Sequence, residues 1–493
     1  MLGDHHERED VKLFLEWFSR ANSLFKAGRF REAIDCYDAT LEINPENRLA
    51  WYNKGLALGG LGEREKAIEC FDKALQIDPW YVDAWIAKGT QLLELNRHEE
   101  ALDCFGKAIQ IDPNNARAWG NKGLALVRSG EIREALIHFE RSLEIDPRSA
   151  EVWFNSGVAM QELGRSDEAM VCFDRALELE PKFVHAWNSK GKLLITLGLI
   201  YEAINCFERA LELQPLCGDA WYNKGVALME VSWFEEALVC FNKVLEIDPD
   251  DILAWKGKGA ALVYLGDYEK AVKCYNEVLK NDSSDVEAWT FKGGALVYLG
   301  KYDEAIECCD RSLEMDPQYV PAWYNKGVAL MKLGRFDEAV SCYERVLETD
   351  PLHVDALYNK GMALASIGRF EEALVCFDKI LNMNTRNADT WYGKGAVLAN
   401  LGEFEEALFC FDKALEIDPI FVPAWNSKGT TLMNLGRLDR ALACFDEALK
   451  LAPFYADAWY NKAIVLKKLG RIEEFIECFN RANILRIISD DIT

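Results

Sequence analysis

The sequence predicts an all-α protein, a solenoid of stacked helix pairs, on three observations. A pattern with a period of 34 residues runs from Phe14 to Ser489 without an insertion. Each period contains two segments with helical spacing of apolar residues, separated by a glycine and followed by a proline. The composition, 50% hydrophobic and 28% charged, is that of a globular protein. Repeats of this length bury their apolar faces by stacking on their neighbours.

The period divides the chain into a polar N-terminal segment (1–13), fourteen repeats (14–489) and a short tail (490–493). Position 1 of each repeat is the first residue of its range, so that equivalent residues can be compared. The predicted repeats are 14–47, 48–81, 82–115, 116–149, 150–183, 184–217, 218–251, 252–285, 286–319, 320–353, 354–387, 388–421, 422–455 and 456–489.

The first half of each repeat predicts a first helix that ends at a glycine. Position 4 is Trp in thirteen repeats, with Leu357 as the exception, and a large ring at one depth predicts filling of the space between layers. Position 8 is Gly in twelve repeats and position 20 is Ala in all but the last, which predicts close packing of two helices. Position 15 is Gly in twelve repeats, and Asn96 also tolerates the left-handed conformation that ends a helix.

The second half of each repeat predicts a second, amphipathic helix. In repeat 2 the apolar residues recur at i, i+3, i+4, i+7 and i+8, namely Ala67, Cys70, Phe71, Ala74 and Leu75. Proline at position 32, Pro79 in this repeat, then ends the helix.

These residues together (Trp at position 4, Gly at 8, Ala at 20, Phe or Tyr at 24, Pro at 32) resemble the tetratricopeptide repeat, over 476 of the 493 residues. The resemblance implies a right-handed superhelix in which first helices line a concave groove and second helices form the outer face. It also implies that positions 2, 5, 6, 9, 12 and 13 of the first helices face the groove, and that the protein binds other proteins.

Two rows of side chains at groove positions are the candidate peptide-binding residues. Position 6 carries Asn53, Asn121, Asn155, Asn223, Asn325, Asn359 and Asn461. Position 5 carries Tyr52, Tyr222, Tyr324, Tyr358, Tyr392 and Tyr460, and Phe18 and Phe154 extend this aromatic row. Because an amide side chain both donates to and accepts from a peptide group, the rows predict binding of an extended peptide.

The asparagine row resembles the ladder in the superhelical domain of O-linked N-acetylglucosamine transferase, which implies that these amides hold peptide backbone. The match has departures: position 6 is Gly257 in repeat 8 and Phe291 in repeat 9, while Asn188 and Asn426 fall at position 5. The catalytic domain of that enzyme has no counterpart in this sequence. An alternative interpretation is that Tyr-Asn-Lys-Gly is simply a favourable first-helix sequence, with Asn exposed and the Lys stem covering apolar surface.

Cysteine and histidine do not form a pattern that indicates chemistry. Position 23 is Cys in thirteen repeats and His138 in the other. Equivalent residues on neighbouring helices lie about 8–10 Å apart, beyond the Cα separation of about 7 Å that a disulfide tolerates. These cysteines are therefore interpreted as small apolar residues in a reducing environment. The six histidines lie at unrelated positions, so the sequence predicts no enzyme, no cofactor and no metal.

The leading prediction is a non-enzymatic scaffold that binds extended peptide or protein segments in its groove, the partner's identity being unknown. A formal net charge of −25 disfavours nucleic acid as a partner. No segment approaches the roughly 20 apolar residues of a membrane helix, and the start of the chain lacks the order of a secretory signal. We therefore expect a cytoplasmic protein with no membrane partner.

Two alternatives of other classes stay open. The first is a structural, self-assembling solenoid that dimerises through an uncapped C-terminal end, where Phe475 replaces the alanine of position 20. A concentration-dependent mass would indicate this alternative. The second is a regulatory, substrate-recruiting arm of a glycosyltransferase-like enzyme whose catalytic part is absent from this sequence.

Overall fold

We describe the protein from a computed structural model, which covers the backbone of residues 2–490 and the side chains of residues 11–487. Every regular element within those residues is an α-helix, and the helices form fourteen consecutive pairs. The predicted all-α class and the fourteen helix pairs are confirmed. The segment predicted to precede the repeats lies inside the first helix, Leu2–Lys26, while residues 491–493 of the predicted tail lie outside the described residues.

Contacts between helices divide the chain into two compact units, Met1–Pro249 and Asp250–Thr493. The first contains α1 (Leu2–Lys26), α2 (Phe30–Ile43), α3 (Arg48–Gly60), α4 (Arg64–Ile77), α5 (Val82–Glu94), α6 (His98–Ile111), α7 (Ala116–Arg128), α8 (Ile132–Ile145), α9 (Ala150–Glu162), α10 (Ser166–Leu179), α11 (Val184–Thr196), α12 (Ile200–Leu213), α13 (Gly218–Glu230) and α14 (Phe234–Ile247). The second contains α15 (Ile252–Tyr264), α16 (Tyr268–Asn281), α17 (Val286–Tyr298), α18 (Tyr302–Met315), α19 (Val320–Lys332), α20 (Phe336–Thr349), α21 (Val354–Ser366), α22 (Phe370–Met383), α23 (Ala388–Leu401), α24 (Phe404–Ile417), α25 (Val422–Asn434), α26 (Leu438–Leu451), α27 (Ala456–Lys468) and α28 (Ile472–Asp490).

The turn between the two helices of a pair depends on a left-handed residue at position 15. All twelve glycines at this position have positive φ, and Asn96 and Ser232 adopt φ of 58° and 61° at the same place. The backbone geometry is thus kept even where the side chain costs conformational energy. The predicted end of each first helix is confirmed, including the prediction for Asn96.

The core of each repeat is built around the ring at position 24. In repeat 6, Phe207 is fully buried together with Ala203 at position 20. The glycine at position 8 faces this ring: a Cβ added at Gly191 would lie 2.5 Å from Phe207 Cε1. Glycine at position 8 therefore makes room for the ring of its own repeat. The expectation of two small residues facing each other was incomplete, because it left out this ring.

The tryptophan at position 4 ties each first helix to the turn before it. Trp187 Nε1 donates a hydrogen bond to the carbonyl oxygen of Pro181 at 3.0 Å. The lysine at position 7 lies over the same ring, with Lys190 Nζ 5.8 Å from the Trp187 ring centroid and 2.5 Å from Asp174 of the preceding repeat. Position 7 therefore links neighbouring repeats by an ion pair and a cation–π contact.

All fifteen cysteines are free thiols, and fourteen of them are buried, Cys217 being half-buried. Burial raises the pKa of the Cys70 thiol to about 11, so the thiol stays protonated at neutral pH. Among the residues whose side chains are described, no group of three His, Cys, Asp or Glu side chains is placed to hold a metal ion.

We expect His138, which replaces cysteine at position 23 of repeat 4, to make the stability of the protein depend on pH. The imidazole is buried, stacks on Trp119 with centroids 5.3 Å apart, and its Nδ1 has no hydrogen-bond partner among the described residues. Burial lowers its pKa. As the pH falls below about 6.5, the ordinary histidine value, the unfolded chain binds a proton that the folded protein does not, so stability falls.

We therefore expect His138→Cys to lose less stability between pH 7.5 and pH 5.5 than the wild type does. Urea unfolding at the two pH values measures the difference. His185→Asn is the matched control, because it removes an exposed histidine from another repeat. An unchanged pH dependence in His138→Cys would show that His138 does not titrate differently in the folded and unfolded states.

Candidate peptide-binding groove

First helices approach one another more closely than second helices do. Within each compact unit, first helices that are neighbours in the stack come into contact, for example α11 with α13 and α21 with α23. No two neighbouring second helices in the described part of the chain do so. The stack in each compact unit therefore curves, with its first helices on the inner side. We call the surface formed there by positions 2, 5, 6, 9, 12 and 13 the groove.

The six predicted tyrosines of position 5 form the floor of the groove and also part of the core. Each is half-buried. Each packs against the position 24 ring of its own repeat: Tyr52 on Phe71, Tyr222 on Phe241, Tyr324 on Tyr343, Tyr358 on Phe377, Tyr392 on Phe411 and Tyr460 on Phe479, with centroids 5.9 to 6.2 Å apart. Burial raises the pKa of Tyr358, so its hydroxyl stays neutral.

Five of the seven predicted asparagines donate hydrogen bonds from Nδ2 to the preceding repeat. The acceptors are Asn22 Oδ1 for Asn53 (3.1 Å), Asn188 Oδ1 for Asn223 (3.0 Å), the Thr290 carbonyl for Asn325 (3.3 Å), Tyr324 Oη for Asn359 (3.2 Å) and Asn426 Oδ1 for Asn461 (3.1 Å). The sequence did not indicate this role. These amides link neighbouring first helices, and the asparagines that fall at position 5, Asn188 and Asn426, are partners in the same bonds.

Asn121 and Asn155 differ from the other five, because neither side chain makes a hydrogen bond to any described residue. Both are half-buried, and both line a cavity of about 270 Å³ between repeats 3 and 5. Two amides with unused hydrogen-bond donors and acceptors therefore line the same concave part of the groove.

The cavity is lined by Gly120 of repeat 4, at position 5, where most repeats carry a larger side chain. In repeat 5 the equivalent ring, Phe154, fills the space, with its centroid 6.0 Å from that of Phe173 and 5.0 Å from that of Phe183. In repeat 4 the side chains of Val152 and Ser142 lie directly beside Gly120 instead. Glycine is also required there, since a Cβ at Gly120 would lie 2.9 Å from Val152 Cγ2.

The walls of the cavity are part polar and part apolar, and the rim carries both charges. Ser142 Oγ donates to the Ala116 carbonyl at 2.8 Å, so this hydroxyl is already bonded. Arg117 and Glu151 stand at position 2 on the rim, and Arg117 lies 3.5 Å from Asp83. Gly120 was not among the residues predicted from the sequence, although a glycine within a row of larger side chains is a signal that marks it.

A larger cleft of about 680 Å³ lies between the second helices α2 and α4, outside the groove. Its lining includes Lys54 and Asp38, which form an ion pair. The same pair of positions is joined again by Lys88 and Asp72 in the next repeat. We assign the lining of this cleft to the packing of consecutive repeats and not to a ligand.

The last helix, α28, carries a stripe of exposed isoleucines: Ile472, Ile476, Ile484 and Ile487 are 51 to 63% exposed. Phe475, which replaces the alanine of position 20, packs on Phe479 with ring centroids 5.6 Å apart. Dimerisation through this end stays a prediction.

None of the helices formed by the described residues is both long enough and apolar enough to cross a membrane.

Family comparison identifies the class of protein that this fold and its repeated residues define: the chain belongs to the tetratricopeptide-repeat family. One tetratricopeptide-repeat model matches residues 18–80, 257–320, 324–381 and 426–486, and further models of the same family match 89–130, 116–149, 150–183, 184–215, 218–251 and 388–421. The resemblance inferred from the repeat is confirmed.

Particular proteins are similar to the chain only at the level of the fold. The solved structures include Cut9, from the APC/C hetero-tetramer Cut9–Hcn1 (17% identity, TM-score 0.43, covering 91% of this chain and 95% of that one). They also include yeast Tom70 (16%, 0.36, 97% and 97%) and YrrB, a TPR protein with an unusual peptide-binding site (28%, 0.34, 38% and 97%). These TM-scores are too low to bear on function. A comparison with curated proteins gives no significant match.

Proposed function

We propose that the protein is a non-enzymatic scaffold that binds extended peptide segments in the groove, and that the cavity at Gly120 in the first compact unit is its anchor point. The observation that carries the proposal is the pair of unbonded amides, Asn121 and Asn155, at a cavity in a groove whose other position 6 asparagines are bonded to neighbouring repeats. Membership of the tetratricopeptide-repeat family supports a role in protein interaction in general.

The chemistry of the cavity suits peptide backbone together with one side chain. Each amide can donate to a carbonyl oxygen and accept from an N–H of the same peptide. The cavity of about 270 Å³ beside these amides can take a side chain of the bound peptide. Such hydrogen bonds contribute about 0.5 to 1.5 kcal/mol each, which makes the two amides together important but not sufficient for binding.

The test uses peptides selected by phage display on the full chain, followed by fluorescence anisotropy with each selected peptide. We expect Asn121→Ala with Asn155→Ala to weaken binding about ten-fold, since two hydrogen bonds of this strength are lost. The matched control is Asn205→Ala with Asn242→Ala, which removes two amides from second helices of the same compact unit.

The control should bind like the wild type, and circular dichroism should show unchanged helicity in both double variants. Selected peptides that bind the groove variant as tightly as the wild type would contradict the proposed anchor point. A failure to select any peptide with the wild-type chain would contradict peptide binding itself.

A further inference from the structure

Two basic side chains of the second compact unit show which groove residues bind a positive charge. Lys256, at position 5 of repeat 8, has its Nζ 2.6 Å from Asp285 Oδ2 and 2.8 Å from Glu287 Oε2. Glu287 stands at position 2 of the next first helix. A carboxylate at position 2 is therefore within reach of a cation that lies in the groove.

Arg486 shows the second element of the same arrangement. Its guanidinium carbon lies 4.6 Å from the centroid of the Tyr460 ring, and its Nη2 lies 3.0 Å from Asp457 Oδ1. Asp457 and Tyr460 occupy positions 2 and 5 of α27, three residues apart and therefore on one face of the helix. A position 2 carboxylate and a position 5 ring thus bind one cation together, by charge and by cation–π attraction.

The same pair of residues recurs in repeats 11 and 12 without a cation. Asp355 and Tyr358 lie on α21, and Asp389 and Tyr392 lie on α23, with the spacing found in α27. Both carboxylates are exposed, and no nitrogen of a Lys, Arg or His side chain within residues 11–487 forms an ion pair with either.

Position 31 provides no positive charge for these two pairs. Arg486 occupies position 31 of repeat 14, whereas repeat 11 has Asn384 there and repeat 12 has Asp418. Neither residue can supply the positive charge. The rings themselves are held in place, since Tyr358 packs on Phe377 with centroids 5.9 Å apart. Tyr392 packs on both Phe411 and Phe421, with centroids 6.0 and 5.1 Å apart.

We infer that the groove of repeats 11 and 12 binds a basic peptide segment, with one arginine or lysine side chain in each Asp–Tyr pair. This inference rests on the proposed peptide-binding function of the groove and names the chemistry of the partner. Arginine suits the pair better than lysine, because its planar guanidinium both stacks on a ring and forms directed bonds to a carboxylate.

The spacing of the two pairs defines the peptide further. The helices α21 and α23 are in contact, which places their axes roughly 8–10 Å apart. A polyproline II segment rises 3.1 Å per residue and repeats its direction every three residues, so residues i and i+3 are about 9 Å apart on one side. A segment with arginines at i and i+3 therefore meets both pairs.

The experiment uses a labelled proline-rich peptide with arginines at i and i+3, and a second peptide with citrulline at both places. Citrulline has nearly the shape of arginine without its charge. We expect the arginine peptide to bind the full wild-type chain at least ten-fold more tightly than the citrulline peptide, and its affinity to fall as salt is added. In Asp355→Asn with Asp389→Asn, we expect the two peptides to bind equally weakly.

The matched control is Asp337→Asn with Glu371→Gln, which makes the same change in net charge with exposed carboxylates on second helices. It should bind the arginine peptide within two-fold of the wild type. Equal binding of the two peptides by the wild type, or equal loss in both double variants, would overturn the inference. Binding of the peptides selected by phage display tests the proposed function separately. The substitutions at Asp355, Asp389, Asp337 and Glu371 all lie in the second compact unit, so the cavity at Gly120 in the first unit is unchanged.

Discussion

Phe207→Ala is expected to lower the free energy of unfolding by about 3–5 kcal/mol, the largest effect of a single substitution that we foresee in this chain. The ring is fully buried between α11 and α12, and its cluster includes Leu194, Ala203 and Phe241. Gly191, directly opposite, has no side chain that can move into the space. The cavity would therefore stay largely open, which adds to the lost hydrophobic transfer energy.

Urea unfolding followed by circular dichroism measures this loss, and hydrogen exchange shows where it acts. Because each repeat contacts only its neighbours, we expect protection to fall most in repeats 5 to 7. Phe409→Ala is the control: this ring is 54% exposed on α24 and its removal should change stability by less than about 0.5 kcal/mol. Equal losses in the two variants would refute the assignment of position 24 as the core of the repeat.

Gly191→Ala is expected to have the second largest effect on stability. It should destabilise the protein, whereas most Gly→Ala substitutions within helices stabilise. Alanine in place of glycine within a helix ordinarily stabilises by about 1 kcal/mol. Here the added Cβ would lie 2.5 Å from Phe207 Cε1 and 2.7 Å from Cζ, so the ring or the helix must move. Overpacking of this kind costs about 1–3 kcal/mol, and we expect a net loss of stability.

Repeat 9 provides the matched control for this substitution, because Cys309 replaces the ring at position 24. A Cβ at Gly293 would lie 3.0 Å from Cys309 Sγ, the nearest atom, so Gly293→Ala should destabilise less than Gly191→Ala. Thermal unfolding of both variants gives the comparison. A Gly191→Ala protein as stable as the wild type would mean that the Phe207 ring shifts at little cost. The two end repeats already hold an aromatic ring at position 24 beside an alanine at position 8.

Much of the fold depends on residues that are close together in the chain, and this part could be predicted from the sequence alone. The period gave the fourteen helix pairs, and glycine or asparagine at position 15 gave the left-handed ends of first helices, Asn96 included. These features depend on the conformational preference of one residue or on the apolar spacing within one helix, so neighbouring residues in the chain are enough to specify them. The candidate tyrosines and asparagines were also placed correctly on first helices.

Only the tertiary structure decided which groove side chains are bonded to neighbouring repeats. Asn121 and Asn223 occupy the same position of their repeats, yet Asn223 is bonded to Asn188 while Asn121 lines a cavity. In the same way, Asp457 forms an ion pair with Arg486, whereas Asp355 and Asp389 form no ion pair with any described residue. A repeat pattern tells which face of a helix a side chain occupies. Its partner lies on another helix, about 30 residues away in the chain, and the match of shape and charge across that distance exists only once the helices have packed.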